Sequence, residues 1–168
     1  IDALAMGGVA SINVGATSAQ GKSAAAGIAL NKIERKVDAK VFDNNGTNSV
    51  GVVGATSVNV RADDESAIES IAVAGVLNIA GAAATNTISL AVTRANNVVR
   101  NIVQASIENG RVTGPHVNVE TTSTASIDAL AESATISVSV SVSGNSTALA
   151  GAGAHATNDI DGHIEASI

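Results

Sequence analysis

Two-residue alternation is the most persistent pattern along this chain. Ile136, Val138, Val140 and Val142 alternate with Ser137, Ser139, Ser141 and Ser143. Successive side chains of a strand point to opposite faces, so the run reads as a strand with aliphatics on one face and hydroxyls on the other. Val58-Asn59-Val60 and Val117-Asn118-Val119 do the same on a smaller scale. Three further segments alternate: Val37, Ala39, Val41; then Val103, Ala105, Ile107; then Ile164, Ala166, Ile168. Their aliphatic and Ala positions are expected to face inward, with Asp38, Lys40, Gln104, Ser106, Glu165 and Ser167 facing outward. Asn44-Asn45-Gly46 and Asn109-Gly110 read as turns, because Asn and Gly adopt positive φ at little cost. Gly144-Asn145-Ser146 interrupts the long alternating run. Pro115, the only proline, precedes Val117, where the start of a strand tolerates it. Residues 23–40 have the Ala, Leu, Lys and Glu content of a helix. Their counterparts, residues 87–106 and 148–167, are β-branched or Gly-rich, and equivalent units share a fold, so all three are read as β.

The counterparts are defined by an internal repeat. Ile1-Asp2-Ala3-Leu4-Ala5 recurs as Ile68-Glu69-Ser70-Ile71-Ala72 and as Ile127-Asp128-Ala129-Leu130-Ala131. Each copy closes on an Asn followed by spaced aliphatics and an Ala: Asn31 with Ala39, Asn97 with Ala105, Asn158 with Ala166. The interval from opening Ile to closing Asn is nearly constant, from Ile1 to Asn31, from Ile68 to Asn97 and from Ile127 to Asn158. The openings themselves are less even, since Ile1 lies farther from Ile68 than Ile68 does from Ile127. The difference falls mostly between Ala39 and Val58, against Ala105 and Val117, which marks a variable loop on one side of a stacked unit.

Strand-sized units in tandem bury their apolar edges by stacking on one another. The expected fold is therefore all-β, a parallel β-helix (β-solenoid) built from about three tandem repeats. Residues 1–168 form a single solenoid fragment, with repeats at approximately 1–57, 58–116 and 117–168. Each repeat is expected to supply two to three coils of about 20 residues. An alternative layout pairs the strands around Gly144-Asn145-Ser146 as a long hairpin. In-register stacking would align Asn31, Asn97 and Asn158 in a hydrogen-bonded ladder. The plainer reading is that Asn suits the local turn.

Composition narrows the function classes. Aromatics are 1% of the chain, with Phe42 alone, so a core must be made of Val, Ile, Leu and Ala. The net charge of −6 supplies no basic footprint for nucleic acid and no polybasic membrane patch. No apolar run reaches the ~18 residues needed to span a bilayer, so membrane insertion is not expected. Without Cys there are no disulfides, thiolate metal sites or Cys nucleophiles. The chain opens without Met and closes on a repeat boundary, and so reads as an excerpt of a longer protein.

The Ile-Asp-Ala-Leu-Ala opening, the Asn-centred closing, and Val117-Asn118-Val119-Glu120-Thr121 leading into Ser123-Thr124-Ala125-Ser126 resemble repeats of very large exported bacterial proteins. These are the filamentous-haemagglutinin-like and leukotoxin-like passengers of Gram-negative type V secretion. The resemblance implies a right-handed β-helix on the bacterial cell surface. It further implies adhesion to glycans or proteins of host or neighbouring cells. A trimeric autotransporter head is a second resemblance, carried by residues 144–151.

Chemical motifs are sparse. Gly21-Lys22-Ser23 looks like the end of a phosphate loop, but the required Gly at position 16 is Ala16. Gly151-Ala152-Gly153 is too short for a dinucleotide fingerprint and suits close layer packing. His155 and His163 lie near Asp159 and Asp161, and with His116 are the only histidines; solvated surface histidines are the simpler reading. Asp63-Asp64-Glu65 has calcium-ligand chemistry but reads as a solvated loop. Asn45 and Asn145 head glycosylation acceptor patterns, which also arise by chance in an Asn- and Thr-rich chain. No catalytic, metal or cofactor residue is assigned. The expected role is a structural and adhesive stalk, not an enzyme. The alternative is a polysaccharide-acting β-helix enzyme, which the near-absence of aromatic platforms disfavours. Binding would use long repeated faces or the variable segment 43–57.

Overall fold

The computed structural model describes residues 1–42, 51–53 and 56–168. The described residues form eight strands: β1 (Asp2–Val14), β2 (Ser18–Phe42), β3 (Gly51–Val53), β4 (Val58–Ala82), β5 (Ala84–Glu108), β6 (Arg111–Thr113), β7 (Val117–Ser141) and β8 (Ser146–Ser167). They make three sheets, ordered β1-β4-β7, β2-β5-β8 and β3-β6. The chain is all-β, a parallel β-solenoid of three rungs. Register follows the repeat: Asp2 pairs with Glu69, Leu4 with Ile71 and Val14 with Gly81, each with its equivalent in the next copy. Residues 23–40 lie inside β2, a strand despite their helix-like composition.

One repeat makes one rung, not two or three short coils. β2, β4, β5 and β7 each run 25 residues without a turn. Inward and outward positions alternate along most of each segment, as an extended strand requires. The hairpin around residues 144–146 is also absent. β7 and β8 flank that turn but lie in different sheets, so they form an arch whose arms face each other. The Asn109-Gly110 turn is as expected, with Asn109 at φ 55°.

The contacts divide the described chain into two compact units, each drawing on all three repeats. The first holds Ile1–Asn31, Ile68–Asn97 and Ile127–Asn158; the second holds Lys32–Ala67, Val98–Ser126 and Asp159–Ile168.

In the first unit the two sheets meet at backbone distance. A Cβ on Gly7 would overlap the Ala26 carbonyl oxygen, and one on Gly27 would lie 2.6 Å from that of Val73. Sheets with ordinary side chains pack about 10 Å apart. Here the facing positions are mostly Gly, Ala, Ser, Thr and Asn, with Val76 among them. Ala29, Ala72 and Ala95 form one buried cluster, and Ala74, Val76 and Ala91 another. Thr87 accepts a hydrogen bond from Ser137 at 2.7 Å, and Thr85 shares one with Ser139.

That packing assigns the faces of the Ile136–Val142 run. The hydroxyls point in and the aliphatics point out: Ile136, Val138, Val140 and Val142 are all exposed. In a gap this narrow the hydroxyls of Ser137 and Ser139 reach Thr87 and Thr85 across it, and the larger aliphatics of this run stay outside.

The second unit has an aliphatic centre. Val60, Ala62, Val103, Ala105 and Ile107 are buried, with Val37, Ala39, Val41, Val112 and Val119 packed against them. Ser106 departs from its expected outward position and is buried, donating to Glu108 at 3.1 Å. In β8 the inward set is not covered. Ile164 and Ala166 are exposed because β8 is the last strand of its sheet.

Candidate functional site

The repeat-marking residues become columns. In the first unit, Asn31 Nδ2 donates to Asn97 Oδ1 at 2.8 Å, and Asn97 Nδ2 donates to Asn158 Oδ1 at 2.9 Å. Asn97, in the middle, is fully buried, while Asn31 is partly exposed and Asn158 exposed at the two ends. All donors point the same way along the stack. In the second unit, Ala39 and Ala105 lie in the aliphatic centre, while Ala166 is exposed on β8.

Gly21-Lys22-Ser23 sits within strand β2, with Lys22 exposed on one face and Ser23 buried on the other. A phosphate loop would turn these groups to one side. Gly21 has a local reason: a Cβ there would overlap Asn78 Oδ1 and meet Asn13 Nδ2 at 2.8 Å. The two interior amides occupy the space. Gly151-Ala152-Gly153 does not serve close packing. A Cβ on Gly151 would meet only Leu90 at 3.6 Å, and one on Gly153 would meet nothing within 4 Å.

The histidines stay apart. His155 is an exposed neighbour of Thr157 at 3.3 Å, and His163 faces Glu165 at 3.4 Å. His116 lends its backbone oxygen to Val58 N–H at 2.8 Å. Among the described residues no three His, Cys, Asp or Glu side chains gather in one place. Asn145 lies in the β7–β8 turn, exposed, its carbonyl accepting from Thr85 N–H at 3.1 Å. Asn45 lies outside the described residues, as do 43–50 and 54–55 of the variable segment.

Asp63-Asp64-Glu65 is not a loop. It belongs to β4, and its members diverge by alternation. Asp63 faces out and pairs with Arg61 at 2.7 Å, which holds the guanidinium above its ordinary pKa. Asp64 faces in. Its carboxylate is fully buried, accepts hydrogen bonds from Ser66 (3.0 Å) and Asn101, and meets Arg35 Nη1 at 3.1 Å. Arg35 also donates to the Glu65 carbonyl at 3.2 Å and remains half-exposed. A buried carboxylate needs such compensation, since desolvation alone would cost several kcal/mol. The signal was present: Val58, Val60, Ala62, Asp64, Ser66 and Ile68 are consecutive positions of one face.

The outer face of the second unit is charged. Lys32 holds Glu34 at 2.6 Å, and Lys40 holds Glu108 at 2.9 Å. Each lysine depresses the pKa of its carboxylate partner, and Glu108 in turn raises that of Lys40. Gln104 donates to Glu165 at 3.2 Å, linking neighbouring strands. The outer face of the first unit is the opposite, aliphatic on both sheets: Leu4, Met6 and Ile12 on one, Ile28, Leu90 and Val92 on the other.

No protein-family model, curated protein or solved structure matches the chain.

Proposed function

We propose that this chain is a rigid stalk segment of an exported bacterial surface protein, with a structural and adhesive role. The observation that supports the reading most directly is the stack itself. The first and second repeats lie in register along the whole of β1, and the same residue types recur at the same height in successive rungs. Such an array works by length, each rung adding about 4.8 Å. Its amide column is open at both ends, so the pattern can be continued without changing its chemistry. Adhesion would use the broad outer faces, with glycans or proteins of host or neighbouring cells as partners. Immunogold electron microscopy of the source cells, with antibody raised against this chain, tests the reading. Label along projections from the cell envelope is expected. Label confined to the cytoplasm would overturn both the location and the role.

A further inference from the structure

The first unit turns aliphatic side chains outward over a wide area, and this surface has a definite relief. On the β1-β4-β7 sheet the outward rows follow the register: Met6 beside Val73, Gly8 beside Gly75, Ala10 beside Leu77, Ile12 beside Ile79. The Gly8–Gly75 row continues to Ala134, and the Ala10–Leu77 row to Ile136. The side-chain-poor row opens a shallow groove of about 520 Å³ beside that ridge. Outward positions of β1 and β4 from Leu4 to Val14 and from Ile71 to Gly81 carry no charge, and on β7, the edge strand, Glu132 at the end of the Met6–Val73 row is the one charge between Leu130 and Val142. The exposed aliphatic area, taken from the fractional exposures of Leu4, Met6, Ile12, Val14, Leu77, Leu130, Ile136, Val138, Val140 and Val142, is on the order of 1,000 Å². That exceeds the ~300–600 Å² of the largest patch on a typical monomer and meets the ~800 Å² per partner of a standard interface.

We propose that this face is a self-association surface, on which a second copy of the chain packs face to face with its strands running the opposite way. Two features select that partner and that orientation. The first is charge. Asp2 pairs with Glu69, and Asp128 holds the same place in the third repeat, so one border of the face is an acidic row. Copies with strands in the same direction would set this row against itself. Copies in opposite directions carry the two rows to opposite ends. The second is shape. A two-fold axis through the level of Val9 and Val76 exchanges the Gly8–Gly75–Ala134 groove with the Ala10–Leu77–Ile136 ridge. Each copy then fills the other, and in-register rows of aliphatic side chains form the contact between sheets. This inference is independent of the proposed cellular role.

The chain has no cysteine, which makes the test clean. Val73→Cys and Ile79→Cys lie on the outer face of β4, equally far on either side of the axis at Val76. Mixed and oxidised, the two variants are expected to cross-link to each other, and neither to itself. Sedimentation velocity of the unsubstituted chain is expected to show a dimer. Ile136→Lys, at an exposed position that leaves the interior untouched, is expected to weaken the dimer by more than ~10-fold with an unchanged circular dichroism spectrum. Self-cross-linking of Val73→Cys would overturn the orientation. A monomer at high micromolar concentration, end-to-end oligomers without the mixed cross-link, or flotation of monomer with phosphatidylcholine vesicles would overturn the proposal.

Discussion

Asn97 is the middle of the amide column and the place where the stacking argument can be measured. It accepts from Asn31 and donates to Asn158, and it has no exposed surface. Asn97→Ala deletes both bonds and leaves a space between backbones that cannot close. Each amide–amide bond contributes about 1 kcal/mol net. The vacated space adds further cost, since neighbouring strands relax only partly. The expected loss is therefore ~2–3 kcal/mol. Asn158→Ala deletes one bond at the exposed end, where water serves Asn97 instead, and should cost ~0.5–1 kcal/mol. Urea denaturation followed by circular dichroism at a fixed protein concentration reads both. A loss at Asn97 no greater than that at Asn158 would refute the idea that the column holds the rungs together.

Gly7→Ala drives a methyl group into a carbonyl oxygen that belongs to the facing sheet. It should destabilise by at least ~2 kcal/mol, while Gly153→Ala, with open space around it, should be near neutral by thermal denaturation. Asp64→Ala strips the fixed partner from half-exposed Arg35, leaves the Ser66 hydroxyl without its acceptor, and leaves Asn101 only its bond to Ser66 at 3.0 Å. A loss of ~2–4 kcal/mol is expected in urea, and a neutral result would deny the pair any part in the fold. Lys40→Met should raise the Glu108 pKa towards the usual 4.5, read by carbon-13 NMR of the side-chain carboxyl. The signs follow from the shifts. The depressed Glu108 stabilises above its unfolded pKa and loses that contribution as pH falls through the folded one. The raised Lys40 stabilises below its unfolded pKa and loses it as pH rises through the folded one. In the variant both limbs should flatten.

Register was legible because the opening pentapeptide and the closing Asn recur in every copy, and the distance from one copy to the next is the ladder offset, as where Asp2 pairs with Glu69. Rung length was not. Short apolar runs separated by Gly look like coils with corners, whereas Gly7 and Gly27 are straight-strand positions where two backbones meet. Facing direction misleads for a related reason, since larger aliphatics ordinarily mark the interior. Here the constant feature across copies is the small residue, Ala5, Ala72 and Ala131, while the larger neighbours Leu4, Ile71 and Leu130 sit on the other face. The diverging faces of Asp63 and Asp64 could have been read by extending the Val58–Val60 alternation onward through Ala62.

The narrow interior of the first unit also bears on heat. Apolar exposure raises the heat capacity of unfolding by about 0.45 cal/K/mol per Å², and polar exposure lowers it by about 0.26. Aliphatic side chains already outside contribute almost nothing to that change, whereas the close-packed backbone, hydroxyls and amides contribute with negative sign. The heat-capacity increment of this unit should fall below the ~12–15 cal/mol/K per residue of ordinary globular proteins. Its stability curve would then be shallow and broad, changing little between cold and warm surroundings.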